Sequence, residues 1–355
     1  MCFVILQWNC RGLFTNLADV EFLLEEYKAS ALCLQETHLN TSHTNFLRRY
    51  SVFRKDRPSA SISCGGVAVV LPKHIPCAEV PLQTPLKAIT VRLLLHKAIT
   101  LCSVYFPPSL SLKRQDLDSL LSQLPEPFLL LGDFNAHSTL WGSDHTDTRG
   151  KIIESILFSH PLCIFNTGHP TYFSPSSLSS TCIDLSIGSA NLLPDFSWTV
   201  DQNPHGSDHF PIILKCNDTP QSSPTRHPRW KFEKADWSLF RQSSLLAYSR
   251  LDQLSIDELN HLLTSHILTA ASLSIPRSSG QLPRRPKPWW NEDCKESRKE
   301  QNNAWGVLRR YPTRDNLISF RKMKARARYI RRKAKRESWQ KYASSINSST
   351  PPKEV

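Results

Sequence analysis

The sequence predicts an α/β or α+β domain with much β-structure, followed by a mostly helical and basic C-terminal region. Residues 1–216 alternate short apolar runs with helix-like patterns, as such domains do. The apolar runs 88–95 and 99–105 are separated by a tripeptide, a length suited to a hairpin and hence to antiparallel pairing. A purely parallel doubly wound fold is therefore disfavoured.

Hydrophobic periodicity places the individual elements of residues 1–216. Apolar residues at helical spacing predict helices at 17–28, 112–124 and 149–159, whereas continuous or alternating apolar runs predict strands. These strands fall at 2–8, 31–35, 66–71, 88–95, 99–105 and 128–131, and near 162–165, 182–187 and 211–216.

A change of composition separates this domain from the rest of the chain. Residues 217–229 are rich in Pro, Ser and Thr and lack aliphatic side chains, which is typical of a linker. We therefore expect a domain at 1–216, a linker at 217–229 and a helical region at 230–355. In the last region a capping-box pattern beginning at Ser255 precedes an apolar helical face and predicts a helix from about 256 to 273.

The positive charge of the chain lies almost entirely beyond this linker. Residues 1–218 carry 16 Lys+Arg against 19 Asp+Glu, and residues 219–355 carry 28 against 12. Within 295–341 there are 17 Lys+Arg and four acids, and Pro312 should divide this segment into two helices, as in a helical hairpin. Such a region suits a polyanionic partner, since cations near phosphates release condensed counterions. A solvated linker face can be equally basic.

Cysteine use and hydropathy narrow the class of protein further. The ten cysteines include no C-x-x-C pair, so we expect reduced, structural thiols and no zinc site. The apolar opening of the chain lacks a basic leader, and no apolar stretch approaches the ~20 residues that a membrane span needs. We expect an intracellular protein without membrane segments.

Two polar motifs each follow a short apolar run. The first is Gly132 to His137 (G-D-F-N-A-H) and the second is Gly206 to Pro211 (G-S-D-H-F-P). Side chains at a strand end can be both rigid and open to solvent. Asp133 and Asn135, two residues apart in an extended segment, should project to the same side. Acids, an amide and a histidine held in this way suit metal-assisted attack of water on a phosphodiester.

Other candidate residues stand at the ends of predicted strands or inside them. Asn9 and Glu36 follow the first two strands, where a carboxylate suits Mg²⁺, although such residues are more often turn or cap residues. Tyr105 precedes two prolines that end its strand, so its phenol could face a cleft or belong to the core. Asp184 is flanked by apolar residues and is costly to bury unpaired. His209 is its natural partner, because a carboxylate fixes the imidazole tautomer.

In order and context these residues resemble the motifs of the endonuclease/exonuclease/phosphatase superfamily. The resemblance covers about residues 1–216 and implies the DNase I-like four-layer α/β sandwich with two mixed β-sheets. The segment Leu140 to Ser143 is further similar to the apurinic/apyrimidinic-type endonuclease domain of non-LTR retrotransposons, particularly of jockey-like elements. The six motifs are W-N-x-R-G at 8–12, Q-E-T at 35–37, Y-x-P-P at 105–108, G-D-F-N-A-H at 132–137, I-D-L at 183–185 and G-S-D-H-F-P at 206–211.

The resemblance implies a divalent metal and a role for each site residue. Glu36 would bind Mg²⁺, or Mn²⁺ in its place, with help from Asn9 and Asp208. The other residues act on water or phosphate. Asp133 would orient or deprotonate the water, Asn135 and Tyr105 would position the phosphate, and His209, oriented by Asp184, would stabilise its developing charge. Whether Asp133 or His209 is the general base stays open.

The C-terminal region resembles the linker between endonuclease and reverse transcriptase in such polyproteins. The resemblance rests on Pro288 to Cys294 and on Lys335 to Trp339. No Tyr- or Phe-x-Asp-Asp motif of a polymerase occurs, so we expect an element truncated before the reverse transcriptase. DNA is the expected substrate, and element RNA is a second candidate partner through the basic helices.

These features together predict a Mg²⁺-dependent DNA endonuclease. It would nick target DNA and leave a 3′-hydroxyl that primes reverse transcription, which implies action in the nucleus. One alternative is another phosphoesterase of the same superfamily, such as a phosphatase or sphingomyelinase-like enzyme, and the basic region weighs against it. A second is an inactive relic that only binds nucleic acid, although every expected site residue is present.

Overall fold

Two six-stranded sheets form the main part of the computed structural model. It describes residues 3–44, 46–56, 65–217, 229–245, 255–277 and 287–346. The first half of the strands comprises β1 (Val4–Asn9), β2 (Ala31–Gln35), β3 (Tyr50–Lys55), β4 (Val67–Pro72), β5 (Cys77–Glu79), β6 (Lys87–Leu94) and β7 (Ala98–Tyr105). The second half comprises β8 (Phe128–Asp133), β9 (Leu162–Ile164), β10 (Tyr172–Ser174), β11 (Ser179–Thr181), β12 (Asp184–Ser189), β13 (Phe196–Val200) and β14 (Ile212–Cys216).

Both large sheets are mixed, as the sequence predicts. The first has the order β13-β14-β1-β2-β4-β3 and the second β5-β6-β7-β8-β12-β9, while β10 and β11 form a separate ribbon. The pairs β1–β2 and β7–β8 are parallel. The other pairs are antiparallel, including the predicted β6–β7 hairpin.

Period-2 alternation along the strands produces four layers. On β1, Ile5 points into a core between the two sheets, whereas Leu6 and Trp8 point outward toward α1 (Leu17–Glu26). On β8, Leu129 and Leu131 face the inner core while their neighbours face α2 (Arg114–Leu121) and α3 (Thr148–Ser159). The order helix, sheet, sheet, helix is the predicted four-layer sandwich.

The predicted helices of residues 1–216 are confirmed, and most predicted strands begin or end within two residues of the observed ones. The strands absent from the predicted set are β3, β5, β10, β11 and β13. Three of them are only three residues long, which is too short for periodicity to be read. In β3 every residue is half-buried, so its two faces differ too little to produce alternation.

The remaining helices fall into two compact units. Residues 220–285 cluster by themselves, and residues 286–355 cluster with residues 2–219. The first unit contains α4 (Trp237–Ser243) and α5 (Ile256–Ser274), and the predicted capping box of Ser255 and Glu258 is present. The second contains α6 (Glu292–Arg310) and α7 (Arg314–Ser345). The predicted linker at 217–229 lies mostly outside the described residues, and the domain limits 1–216 and 230–355 stay a prediction.

Helices α6 and α7 form the predicted hairpin around Pro312, and the hairpin packs on the four-layer sandwich within one unit. Trp305 is the centre of this contact. Its ring lies 5.3 Å from Phe173, 5.5 Å from Phe210 and 5.3 Å from Phe320, and its Nε1 donates a hydrogen bond of 2.8 Å to the Gln202 carbonyl. None of the described helices is long and apolar enough to cross a membrane.

We expect Trp305→Ala to lower the free energy of unfolding by about 3–5 kcal/mol, because it removes a large buried aromatic side chain and leaves a cavity. Trp339→Ala is the matched control, since that side chain is 66% exposed on the same hairpin and should change stability by less than about 0.5 kcal/mol. Chemical denaturation followed by circular dichroism measures both. Equal losses in the two variants would contradict the packing described here.

Candidate active site

The predicted site residues occupy inward-facing positions at one edge of the two facing sheets. Alternation carries Ile5, Gln7 and Asn9 to the inner face of β1. On the facing sheet, Asp133 is the last residue of β8 and Asp184 the first residue of the antiparallel strand β12. Asp133 is paired in register with Tyr105 on one side and with Asp184 on the other. The site therefore continues the inner core where apolar residues give way to polar ones.

A buried polar layer directly beneath the site connects the two sheets. Gln7 on the first sheet donates from Nε2 to the Gly132 carbonyl (2.9 Å) on the second and accepts from the Ser186 hydroxyl (2.9 Å). Trp198 donates from Nε1 to the same hydroxyl (3.0 Å). Glycine is required at 132, since an added Cβ would lie 2.0 Å from the Val104 carbonyl oxygen. These bonds fix the spacing of the sheets at the level of the site.

Asn9 connects carboxylates that belong to different sheets. Its Nδ2 donates to Glu36 Oε1 (3.0 Å) and to Asp133 Oδ2 (2.9 Å), while its Oδ1 accepts from the Arg11 backbone N–H (3.1 Å). Asn9 is fully buried. In this orientation the amide holds the two acids together, and its predicted role as a metal ligand stays a prediction.

Glu36 lies directly after β2 and reaches solvent at the rim of the site. Its backbone adopts a left-handed φ of +48°, an uncommon conformation for a side chain of this kind. Burial opposes its ionisation, but hydrogen bonds from His38, Asn9 and Tyr105 and the charge of His209 outweigh that effect and lower its pKa to about 2. Glu36 is thus an ionised carboxylate whose side chain remains 20% exposed.

Asp133 has the opposite electrostatic character. Burial first, and then the charges of Asp184 and Glu36, raise its pKa to about 7, although His209 and the Asn9 amide act in the other direction. The Asn135 backbone N–H donates to Asp133 Oδ1 (3.0 Å). A buried carboxylate with this pKa can accept a proton near neutral pH.

His209 and Asp184 form a buried pair. His209 Nδ1 lies 3.0 and 2.9 Å from the two carboxylate oxygens of Asp184. Burial would lower the imidazole pKa, but Asp184 and, to a smaller extent, Asp133 and Asp208 raise it to about 10. The backbone around the ring is fixed as well, since Trp8 Nε1 donates to the His209 carbonyl (3.0 Å). The predicted partnership of His209 with Asp184 is therefore present.

The last two predicted residues lie on either side of this centre. Asp208 forms an ion pair with Arg11. Asn135, with a left-handed φ of +47°, donates from Nδ2 to the Phe106 carbonyl (3.2 Å). The Ser207 hydroxyl donates to the Asn9 carbonyl (2.8 Å), and this bond ties the second polar motif to the first strand. Each of the eight predicted residues thus contacts another of them directly or through one further residue.

Some residues of the site carried weak or no sequence signal. Arg11 and Ser207 lie inside the recognised motifs, but no role was predicted for them. His38 Nε2 lies 3.4 Å from Glu36 Oε2, and the Tyr172 ring lies 4.7 Å from that of His209. Tyr172 comes from the short ribbon strand β10, which periodicity does not reveal, so nothing in the sequence indicates its place.

The donor set fits a divalent cation. The carboxylates of Glu36 and Asp184 lie near that of Asp133, and after burial their charges contribute to the raised pKa of Asp133. Among the described residues, Asp133, Asp184 and His209 bring potential ligand atoms within 4.8 Å of one another. Asp184 and His209 already bind each other, however, and a protonated imidazole cannot coordinate a metal. Ionised Glu36 is the better ligand, because hard cations prefer carboxylate oxygens.

Comparison with known proteins agrees with this geometry. Residues 99–213 match the model of the family described as "Endonuclease-reverse transcriptase". The chain is 27% identical over 289 residues to the RNA-directed DNA polymerase from mobile element jockey of Drosophila melanogaster, covering 76% of this chain and 30% of that protein. It is 26% identical over 290 residues to the probable RNA-directed DNA polymerase from transposon X-element of the same organism, covering 78% and 31%.

A solved structure shares the fold. The endonuclease domain of TRAS1, a telomere-specific non-LTR retrotransposon, superposes with a TM-score of 0.53 at 22% identity and covers 61% of this chain and 98% of that domain. The DNase I-like architecture predicted from the motifs is therefore confirmed. The chain spans less than a third of the length of the two polymerases that it matches.

We expect Asp184→Asn to lower the pKa of His209, because the variant loses the charge that overcomes burial of the imidazole. In the parent the pair stabilises the fold fully below the ordinary pKa of 6.5, and this contribution is lost as the pH rises through about 10. NMR titration of the histidine ring carbons measures the pKa.

Asp201→Asn is the control, because it removes the charge that Asp201 places beside His205 and should leave the pKa of His209 unchanged. An unaltered pKa of His209 in Asp184→Asn would refute the pairing.

Proposed function

We propose that this chain belongs to the endonuclease/exonuclease/phosphatase superfamily through its N-terminal sandwich and is a metal-dependent endonuclease that nicks DNA by hydrolysing a phosphodiester. One observation carries the proposal. An ionised acid and a buried acid of raised pKa both accept hydrogen bonds from the Asn9 amide, and a buried histidine–aspartate pair lies beside the second acid at one edge of the sandwich. Phosphodiester hydrolysis needs a cation site, a proton acceptor and a positive group, and each is represented there.

Glu36 would hold the divalent cation, which we propose to be Mg²⁺ with Mn²⁺ able to replace it. Asn9 and Asp208 are the proposed supporting residues. When bound, the cation would supply a counter-charge to the phosphate and the leaving oxygen. The lowered pKa of Glu36 supports this role, because the carboxylate stays charged across the physiological range without a metal.

Asp133 would accept the proton of the attacking water. It is held by Asn9 and by the Asn135 backbone N–H, so its orientation is fixed before substrate arrives. His209 is the less suitable base, since both oxygens of Asp184 contact its Nδ1 and favour the imidazolium form. As a cation, His209 would instead stabilise the charge that develops on the phosphate oxygens.

Tyr105 and Asn135 would position the scissile phosphate. The two residues follow or end neighbouring strands, and Tyr105 also hydrogen-bonds Glu36. A phosphate held between them would lie next to the cation site and the Asp133 carboxylate, as near-attack geometry requires.

The expected product is a nick with a 3′-hydroxyl, which a reverse transcriptase could extend. Chromosomal DNA as the substrate implies action in the nucleus. Element RNA remains a second candidate ligand of the basic helices. The curated relatives are described as RNA-directed DNA polymerases of mobile elements, which supports a role in retrotransposition.

The test is nicking of supercoiled plasmid by the full chain in Mg²⁺. Glu36→Gln and His209→Ala should each lower the rate by about 10²–10⁴-fold, as loss of a metal ligand or of a group acting on the transition state does. Extension of the nick by a DNA polymerase without prior end repair reports the 3′-hydroxyl.

Exposed residues of the same types provide the controls. Glu79→Gln on β5 and His74→Ala lie on the surface of the sandwich and should nick at the parental rate. Absence of Mg²⁺-dependent nicking, or equal rates in Glu36→Gln and the parent, would overturn the proposal. Hydrolysis of phosphomonoesters without nicking would identify another phosphoesterase instead.

A further inference from the structure

Helix α7 is attached to the segment that carries Asp208 and His209. Lys324 Nζ lies 3.5 Å from the Ser207 carbonyl, and Arg328 donates to the Gly206 carbonyl (3.0 Å) and to Asn16 Oδ1 (3.2 Å). One turn further, Arg331 forms a buried ion pair of 2.8 Å with Asp19. These contacts hold the helix in a fixed position beside the candidate active site.

Other cations of α7 remain at the surface of the helix. Arg321, Arg332 and Arg336 are exposed, and they stand seven residues before Arg328 and four and eight residues after it. Such spacing places them on the same side of the helix as Arg328. We call Arg321, Arg332 and Arg336 the site-side arginines.

A second set of exposed cations lies elsewhere on the same helix. Arg326 pairs with Glu300 of α6, and Lys333 pairs with Glu337. Lys322 lies four residues before Arg326 and is exposed. We call Lys322, Arg326 and Lys333 the α6-side cations. Two of them have acidic partners, whereas no ion pair involves a site-side arginine among the described residues.

We propose that the site-side arginines bind the phosphate backbone of duplex DNA flanking the nicked bond, so that α7 extends the DNA-binding surface of the nuclease. The proposal rests on the proposed function. Arginine side chains suit phosphate, because the planar guanidinium donates two parallel hydrogen bonds. Spread along a rigid helix, they would follow one strand without reading its sequence.

Charge and position favour DNA at the site as the occupant of this face. The 32-residue helix is about 48 Å long, and duplex DNA presents roughly one negative charge per 1.7 Å. A substrate whose scissile phosphate lies between Glu36 and His209 would bring its flanking phosphates toward Asp208, the residue next to the Ser207 carbonyl that Lys324 contacts. Phosphates at that position need cations nearby to offset the carboxylates of the site.

The experiment compares two triple variants of the full chain that each remove three positive charges. One replaces the site-side arginines, Arg321→Gln, Arg332→Gln and Arg336→Gln; the other replaces the α6-side cations, Lys322→Gln, Arg326→Gln and Lys333→Gln. Fluorescence anisotropy with a labelled 30-base-pair duplex in EDTA measures affinity over a salt series. Plasmid nicking in Mg²⁺ then gives KM and kcat.

We expect the site-side variant to bind the duplex about tenfold or more weakly at physiological salt, with its salt slope reduced by up to about 3, since each lost phosphate contact removes about 0.9. KM should rise while kcat stays at the parental value, which also shows that the variant folds. The α6-side variant should change affinity by less than about twofold.

Other outcomes would overturn the proposal. Equal losses in both variants would show a general charge effect, and unchanged affinity in the site-side variant would show that DNA does not reach these arginines. Weakened binding of a labelled single-stranded RNA with duplex binding intact would assign the face to RNA. Because the anisotropy arm needs no cleavage, arginine-dependent DNA binding without any nicking would support DNA binding by this face and refute the proposed function.

Discussion

The arrangement of the candidate site depends on the side-chain amide of Asn9. Its Nδ2 binds Glu36 from its own sheet and Asp133 from the facing sheet, so one donor joins the two halves of the sandwich at the site. Acids this close repel one another, and a buried amide shared between them offsets that repulsion. The polar layer of Gln7, Ser186 and Trp198 below it keeps the sheets at the distance that this bond requires.

The electrostatic asymmetry of the acids follows from that arrangement. Glu36 sits at the rim and receives donors from several sides, which keeps it ionised, whereas Asp133 is enclosed beside two other carboxylates and holds a proton more readily. Asp184 has its charge matched by His209. The three carboxylates thereby differ in their surroundings and in their tendency to hold a proton, and this difference supports the separate roles of cation ligand, proton acceptor and orienting group that we propose for them.

Much of the fold and of the site could be predicted from sequence because each depends on local patterns. Alternation and helical spacing identified the long elements, and the site residues lie where inward-facing alternation reaches a strand end, as at Asn9 and Asp133. The short strands β5, β10 and β11 could not be found, because three residues cannot display a period. For the same reason the contact of Tyr172 with His209, and the ion pair of Arg11 with Asp208, required the tertiary structure.

The docking of the helical hairpin illustrates a further limit of sequence patterns. Composition describes residues 295–341 as a basic segment, and a solvated face or a nucleic-acid contact explains that composition equally well. These two explanations differ in where they place the cations relative to the acidic residues of the sandwich. Arg331 forms a buried ion pair with Asp19, and Arg328 donates to the Gly206 carbonyl. Part of the positive charge of α7 therefore holds the hairpin on the sandwich. The arginines left at the surface follow the same side of the helix as Arg328, which itself contacts the candidate catalytic segment, and positive charge along that side complements a bound polyanion.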